Sequence, residues 1–233
     1  MERDVLQERY YAELAAAYVR GMARRMGLAI QAELLDKPLE ALSESEVELL
    51  LDAGRDAALK LYHFKLREEL PRVRKVMGFL KGIQPESLLD VGSGRGAFLF
   101  PFLREFPQTE VTSLDLLPHR VAFLEALREG GVDRLTALRQ DICTWDRPDR
   151  SFDVVALLEV LEHIPDVEAA VRAAVRLARR YVVVTVPSKP DDNPEHIHLL
   201  TKDRLTELFA GAGCEKLRFD GVNGHLFMVS QIG

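Results

Sequence analysis

Apolar positions change their rhythm near residue 84. Through residues 1–83 they recur at helical steps: Leu6, Tyr10, Leu14 and Ala17 in one run, Val47, Leu50 and Leu51 in another. Ser43 with Glu46 three residues later has the spacing of a capping box and opens the second run. Pro71 suits the first turn of a further helix, carrying Val73, Val76, Met77 and Leu80 towards Gly82. This front segment predicts helices only, with no strand and no internal repeat. It reads as a helical cap, lid or interface region ahead of a second domain at 84–233.

Beyond it, short β-branched runs alternate with helical ones. Strands are predicted at Ser87–Val91, Val111–Asp115, Leu135–Arg139, Phe152–Leu158, Tyr181–Val186, Glu215–Asp220 and His225–Ser230. Helices are predicted from the turn after Val91 through Leu103, from Pro118 to about Arg128, over Asp166–Arg180 and over Thr201–Ala210, the last ended by Gly211 and Gly213. The last two strands close a hairpin around Gly221-Val222-Asn223-Gly224. Strands apolar at consecutive positions belong in a sheet covered on both faces. The prediction is an α/β fold: a doubly wound seven-stranded sheet, mostly parallel with a C-terminal antiparallel hairpin, plus the N-terminal helical segment. In such sheets ligands sit beyond the carboxyl ends of the strands, near the topological switch point.

Composition narrows the class without naming it. Of 233 residues, 47% are hydrophobic and 29% charged, an ordinary globular balance. A net charge of −6 gives no global basic field for nucleic acid or anionic lipid. Locally, residues 60–81 hold seven basic side chains (Lys60, Lys65, Arg67, Arg72, Arg74, Lys75, Lys81) against Glu68 and Glu69, which reads as a solvated helix face. Cys143 and Cys214, 71 residues apart, form no disulfide framework. The charged start Met1-Glu2-Arg3-Asp4 lacks a signal peptide's apolar run, and no 18 consecutive residues are apolar. A soluble cytoplasmic protein with no membrane partner is expected.

The chemistry falls just after strands. Asp90-Val91 runs into Gly92-Ser93-Gly94-Arg95-Gly96, where glycines permit a tight turn and a close ligand approach. Asp115 ends the next strand, 23 residues after Gly92, and a carboxylate there can accept both hydroxyls of a ribose. The third glycine comes one residue earlier than in the dinucleotide fingerprint G-x-G-x-x-G, and no Gly-Lys-Ser/Thr of a phosphate loop follows.

Asp-x-Gly-x-Gly-x-Gly after an apolar strand resembles the first motif of class I S-adenosylmethionine-dependent methyltransferases of the type 11/23-like kind, over about residues 85–230. That resemblance implies a Rossmann-like sheet and S-adenosyl-L-methionine as cofactor, with S-adenosyl-L-homocysteine as product. It implies that Asp90, Gly92, Ser93, Gly94 and Gly96 line the methionine end, and that Asp115 takes the ribose. Asp141 would accept from the adenine amine, with Leu116 and Ile142 sandwiching the ring, although Asp141 also suits a turn. The family's Pro-Gly-Gly before the fifth strand is replaced here by Ala178-Arg179-Arg180.

Glu159-Val-Leu-Glu-His-Ile-Pro-Asp166 resembles the fourth-strand motif of a broad methyltransferase group that includes quinone-pathway O-methyltransferases. Glu159 would then lie beside the methionine end, and His163 is a candidate general base or a cap of the turn before Pro165. Glu159, Glu162 and His163 share one face of a helical turn, and Glu195, His196 and His198 follow in a later loop. Small-RNA 3′-terminal ribose methyltransferases use a similar Glu-x-x-Glu-His with a later His, so Glu159, Glu162, His163 and His198 are weighed as metal ligands, and a metal-free pocket is expected. The leading reading is methylation of O or N of a small molecule by a monomer or homodimer. The alternatives are a methyltransferase acting on RNA ends or another macromolecule, and a non-catalytic adenosine-ligand binding module. In the front segment Tyr10, Tyr11, Tyr18, Tyr62, His63 and Phe64 serve as core or pocket.

Overall fold

In the computed structural model the described residues are 2–64 and 70–233, with side chains from residue 8 onward. Lys65, Arg67, Glu68, Glu69 and the side chain of Leu6 lie outside them. The chain divides into two compact units: Met1–Glu68 with Pro118–Ala137, and Glu69–Leu117 with Leu138–Gly233. The division is not a single cut at residue 83.

The first unit holds α1 (Glu2–Met26), α2 (Ala32–Asp36), α3 (Glu44–Asp56) and, from later in the chain, α6 (Pro118–Glu129). Small residues let α1 and α6 meet at the backbone. A Cβ on Gly21 would lie 1.9 Å from the Ala126 carbonyl oxygen, and one on Gly130 would lie 1.7 Å from that of Ala17. Arg25 fastens the pair, donating to Glu129 at 2.6 Å and Glu125 at 3.3 Å. Ala16, Leu34, Leu42, Val47 and Leu50 make a small core under α1 to α3. The capping box forms as expected, with Ser43 Oγ accepting from the Glu46 amide and Glu46 accepting from the Ser43 amide. Tyr18 and Phe64 pack with Phe123, ring centroids 5.1–5.6 Å apart, so these front-segment aromatics are core.

In the second unit Leu70 precedes α4 (Pro71–Ile83), which has Pro71 in its first turn. There follow β1 (Ser87–Val91), α5 (Leu99–Glu105), β2 (Glu110–Asp115), β4 (Phe152–Leu158), α7 (Val167–Leu177), β5 (Ala178–Pro187), α8 (Lys202–Gly211), β6 (Leu217–Val222) and β7 (His225–Gln231). With β3 (Leu135–Arg139) the strands form one seven-stranded sheet of order β3-β2-β1-β4-β5-β7-β6. β1 pairs parallel with β2 and β4, β4 parallel with β5, and β7 antiparallel with β5 and β6. Chain order reverses between β1 and β4, which makes their carboxyl ends the switch point. On one face α7 and α8 bury Val171, Leu177, Leu205 and Phe209 against Val155, Val182, Val184 and Met228. On the other, Phe79 of α4 packs edge-on to Tyr181 and Phe227.

Element ends differ from the sequence reading where long-range pairing decides. α7 stops at Leu177, not Arg180, because Ala178 already pairs with Phe152, and Arg179 reaches Asp153 at 3.0 Å. β6 runs on through Gly221 and Val222, since Asn223 and Gly224, with φ of 40° and 85°, make the hairpin turn by themselves. Among the described residues no helix is long and apolar enough to cross a membrane.

Candidate functional site

Two corners form at the carboxyl ends of β1, β2, β4 and β5. The first is the glycine turn. Gly92, Gly94 and Gly96 all hold positive φ (69°, 57°, 77°), a region that L side chains enter only with strain. They differ in surroundings. A Cβ on Gly92 would lie 2.9 Å from Val160 Cγ2, and one on Gly96 would lie 2.6 Å from the Phe100 ring. One on Gly94 would meet no atom closer than the Gly92 carbonyl oxygen at 3.9 Å. Two of the glycines thus serve internal packing, and the middle one borders open space.

Asp90, at the base of this turn, is buried and accepts from Ser93 Oγ at 2.5 Å; Ser93 also meets Ser113 Oγ at 2.5 Å. Burial pushes the Asp90 carboxyl up to about 6; the Ser93 hydroxyl draws it down, and the charge of Asp115 adds to the rise. Asp115 ends β2, buried, and accepts the Leu117 amide at 2.9 Å. Leu116 beside it is 58% exposed, an apolar surface of the kind that covers an aromatic ring. Ile142 is 3% exposed and packs in the core with Leu89 and Leu114. Asp141 is exposed and accepts the Cys143 amide at 2.9 Å, the turn-forming use of an aspartate.

The second corner follows β4 and β5. Glu159 has φ of +58°, a strained value for a glutamate of order 1 kcal/mol or more, held because its amide donates to the Thr185 carbonyl at 2.8 Å. Its carboxylate accepts from Thr185 Oγ1 at 2.8 Å, meets His225 Nε2 at 3.0 Å and faces Arg72 Nε at 3.8 Å. The sequence reading gave Thr185, His225 and Arg72 no place at this site. They lie 26, 66 and 87 residues from Glu159, and no local spacing joins them.

Glu162 and His163 sit on the 3₁₀ turn Leu161–His163. The Glu162 carbonyl accepts the amides of Ile197 and His198 at 2.9 and 3.2 Å, which pins the loop after β5 over this turn. Glu162 is 1% exposed, and neither carboxylate oxygen has a hydrogen-bond partner among the described residues. Burial pushes its carboxyl up to about 8; its own amide opposes this, the charges of Glu159 and Asp191 add to it, and Arg72 opposes again. His163 Nδ1 faces the Glu195 carbonyl at 2.9 Å, and the ring meets His196 edge to face at 4.7 Å. His196 Nδ1 faces Asp191 at 2.8 Å. His198 turns away, its Nε2 at 3.0 Å from the Ile164 carbonyl. Of the four residues weighed as ligands, only Glu162 and His163 come together, and the histidine that joins them is His196.

A glycine turn beside the switch point of a mostly parallel sheet is where α/β folds take their ligands, and comparison with known proteins gives the family. A family described as a methyltransferase domain matches residues 62–218. The chain belongs to that methyltransferase family, which is S-adenosylmethionine-dependent. Among curated relatives, a ubiquinone biosynthesis O-methyltransferase of Yersinia enterocolitica is 33% identical over 139 residues, covering 58% of this chain and 50% of that protein. The chain thus spans about half the length of the curated relatives it matches. A candidate O-methyltransferase of Nostoc punctiforme superposes with a TM-score of 0.59 at 14% identity, over 96% of this chain and 72% of that one. A SAM-dependent methyltransferase from Aquifex aeolicus gives 0.57 at 20% identity, over 70% and 90%. Likeness at these identities speaks for the fold.

Proposed function

We propose that this chain transfers the methyl group of S-adenosylmethionine to an oxygen, or a nitrogen, of a small-molecule acceptor in the cytoplasm, acting as a monomer or homodimer. The observation that carries this reading is the turn at Gly94: a left-handed backbone beside open space, between two glycines that packing already requires. Gly92, Ser93, Gly94 and Gly96 would seat the methionine end over Asp90, whose buried carboxylate suits a cationic sulfonium nearby. Asp115 would accept the ribose hydroxyls. Adenine would lie on Leu116, with Asp141 at its edge and Ile142 forming the floor beneath. The relatives' O-methyltransferase names favour oxygen as the attacked atom. Cys143 and Cys214 are both free thiols, as suits a reducing compartment.

Methyl transfer from a sulfonium is an in-line displacement, so positioning and exclusion of water supply most of the acceleration. Glu159, fixed by Thr185 and His225, would border the methionine end. A hydroxyl acceptor must also lose its proton. His163 is a candidate for this work: its Nδ1 is occupied by a carbonyl, which leaves the Nε2 lone pair for the acceptor. A macromolecular acceptor is not favoured, because the basic stretch is partly committed within the fold: Lys75 pairs with Asp220 and Lys81 with Glu105. The test is incubation with labelled S-adenosylmethionine and a panel of hydroxylated aromatic acceptors. Labelled product with equimolar S-adenosylhomocysteine is expected. Cofactor binding without turnover of any acceptor would make the chain a binding module.

A further inference from the structure

We propose that the groove between α4 and the hairpin of β6 and β7 is a binding site for an aromatic carboxylate. The groove has a volume of about 510 Å³, within the range of small-molecule sites, and runs along the edge of the sheet that β6 closes. None of its lining residues belongs to the glycine corner or the histidine corner.

Shape and wall come first. Gly78 lines the groove from the middle of α4, and a Cβ built there would stand in open space. A glycine inside a helix weakens it, and no neighbour packs into the gap it leaves. Phe79 on α4 and Phe227 on β7 supply the apolar wall, their rings 6.4 Å apart and inclined at 62°. A further ring laid against this pair extends the edge-to-face and offset contacts that aromatic groups prefer.

Charge decides the other end of the ligand. Arg74, Lys75 and Arg218 border the groove against a single carboxylate, Asp220. Lys75 pairs with that carboxylate, which places the Asp220 side chain on the α4 side of β6. Strand alternation puts Arg218, two residues earlier, on the same side. The Arg74 and Arg218 guanidiniums have no hydrogen-bond or ion-pair partner among the described residues. Two unpaired cations beside an apolar wall, on a chain of net charge −6, favour an anion with an apolar body. A guanidinium grips a carboxylate through paired N–H donors and also stacks on an aromatic face. A flat ring against Phe79 and Phe227, with its carboxylate turned towards the arginines, uses both walls at once. The site stands independently of the methyl-transfer reading.

The test titrates the full chain with 2-naphthoate, followed by calorimetry and by the ligand's own fluorescence. One site per chain is expected, with a Kd of about 1 mM or tighter for a ligand of this size. 2-Naphthylmethanol keeps the ring without the charge and should bind at least tenfold more weakly. Octanoate keeps the charge without the ring and should also bind at least tenfold more weakly. Gly78→Leu fills the open space and should abolish binding while Tm stays level or rises, because leucine favours a helix. Arg204→Gln, on α8 at the opposite face of the sheet, should change nothing. Absence of 2-naphthoate binding by the folded wild type at about 5 mM would overturn the proposal. So would equal affinity in wild type and a folded Gly78→Leu variant, or equal affinity for 2-naphthoate and either analogue. If Gly78→Leu fails to fold, the double variant Arg74→Gln with Arg218→Gln, both exposed, decides the case. Retained affinity there overturns the proposal, and a loss of tenfold or more supports it. S-adenosylmethionine binding, measured on the same samples, separates the fate of this groove from that of the cofactor site.

Discussion

The glycine corner and the histidine corner are assembled in opposite ways. At the first, seven consecutive residues, Asp90 to Gly96, carry most of the geometry, and the backbone does the work. At the second, a strained glutamate, a 3₁₀ turn, a loop after β5 and the start of β7 contribute one or two side chains each, and only tertiary packing brings them together. A backbone-built corner suits a cofactor used again and again; a side-chain-built corner can vary with the acceptor. The two should therefore separate under mutation, the first governing cofactor affinity and the second turnover.

The largest separation is expected at Glu159. Glu159→Ala frees Thr185 and His225 from their shared carboxylate and should lower kcat by about 100-fold or more, within the usual range for acid–base and positioning groups. Because Glu159 borders the methionine end, S-adenosylmethionine affinity should fall too, but by tenfold at most, as calorimetry beside steady-state kinetics would show. His163→Ala should behave alike in direction. If either variant loses cofactor binding as steeply as turnover, the corners are not separate.

Gly94 tests the other side. Gly94→Val should weaken the cofactor about 100-fold while costing only ~1–2 kcal/mol of backbone strain, a fall in Tm of roughly 2–8 °C. Gly92→Val provides the contrast, because its side chain meets Val160 and should cost far more stability. Equal loss of stability at the two positions would make Gly94 structural as well.

The same contrast explains what could be read from the sequence. Local signals were legible: the capping box at Ser43, Pro71 opening a helix, Asn223-Gly224 turning the hairpin, and the spaced glycines with Asp115 after the second strand. Each is a short-range rule of backbone conformation. Contacts set by packing were not. Gly21 and Gly130 look like ordinary helix and turn glycines until α1 and α6 are seen in contact. His225 belongs with Glu159 only because β7 lies beside β5. His196 and His198 share a face on an extended chain, yet the loop pinned by the Glu162 carbonyl sends them to different partners.

A smaller effect sharpens the glycine corner electrostatically. The folded chain holds the Asp90 proton more tightly than the unfolded chain, with the carboxyl raised from 3.8 to about 6. Its contribution to stability is full below about pH 4 and is lost as pH rises through 6. Asp90→Asn should flatten that dependence and raise stability above pH 6 by at most about 3 kcal/mol. Parallel Tm-against-pH curves for the two proteins would contradict the assignment. Bound S-adenosylmethionine should also reduce the difference, its positive sulfonium offsetting the buried charge.

The central claim is that the corner at the ends of β1 and β2 takes S-adenosylmethionine. Calorimetric titration of wild type and Asp115→Ala addresses it directly, with NADH as the rival ligand. One site per chain for S-adenosylmethionine and S-adenosylhomocysteine is expected, with no competition from NADH. Asp115→Ala should weaken both by about 1.5–3 kcal/mol, or roughly 10- to 150-fold, through loss of charge-assisted bonds to ribose. Unchanged affinity in a folded Asp115→Ala, or NADH binding in place of S-adenosylmethionine, would contradict the account.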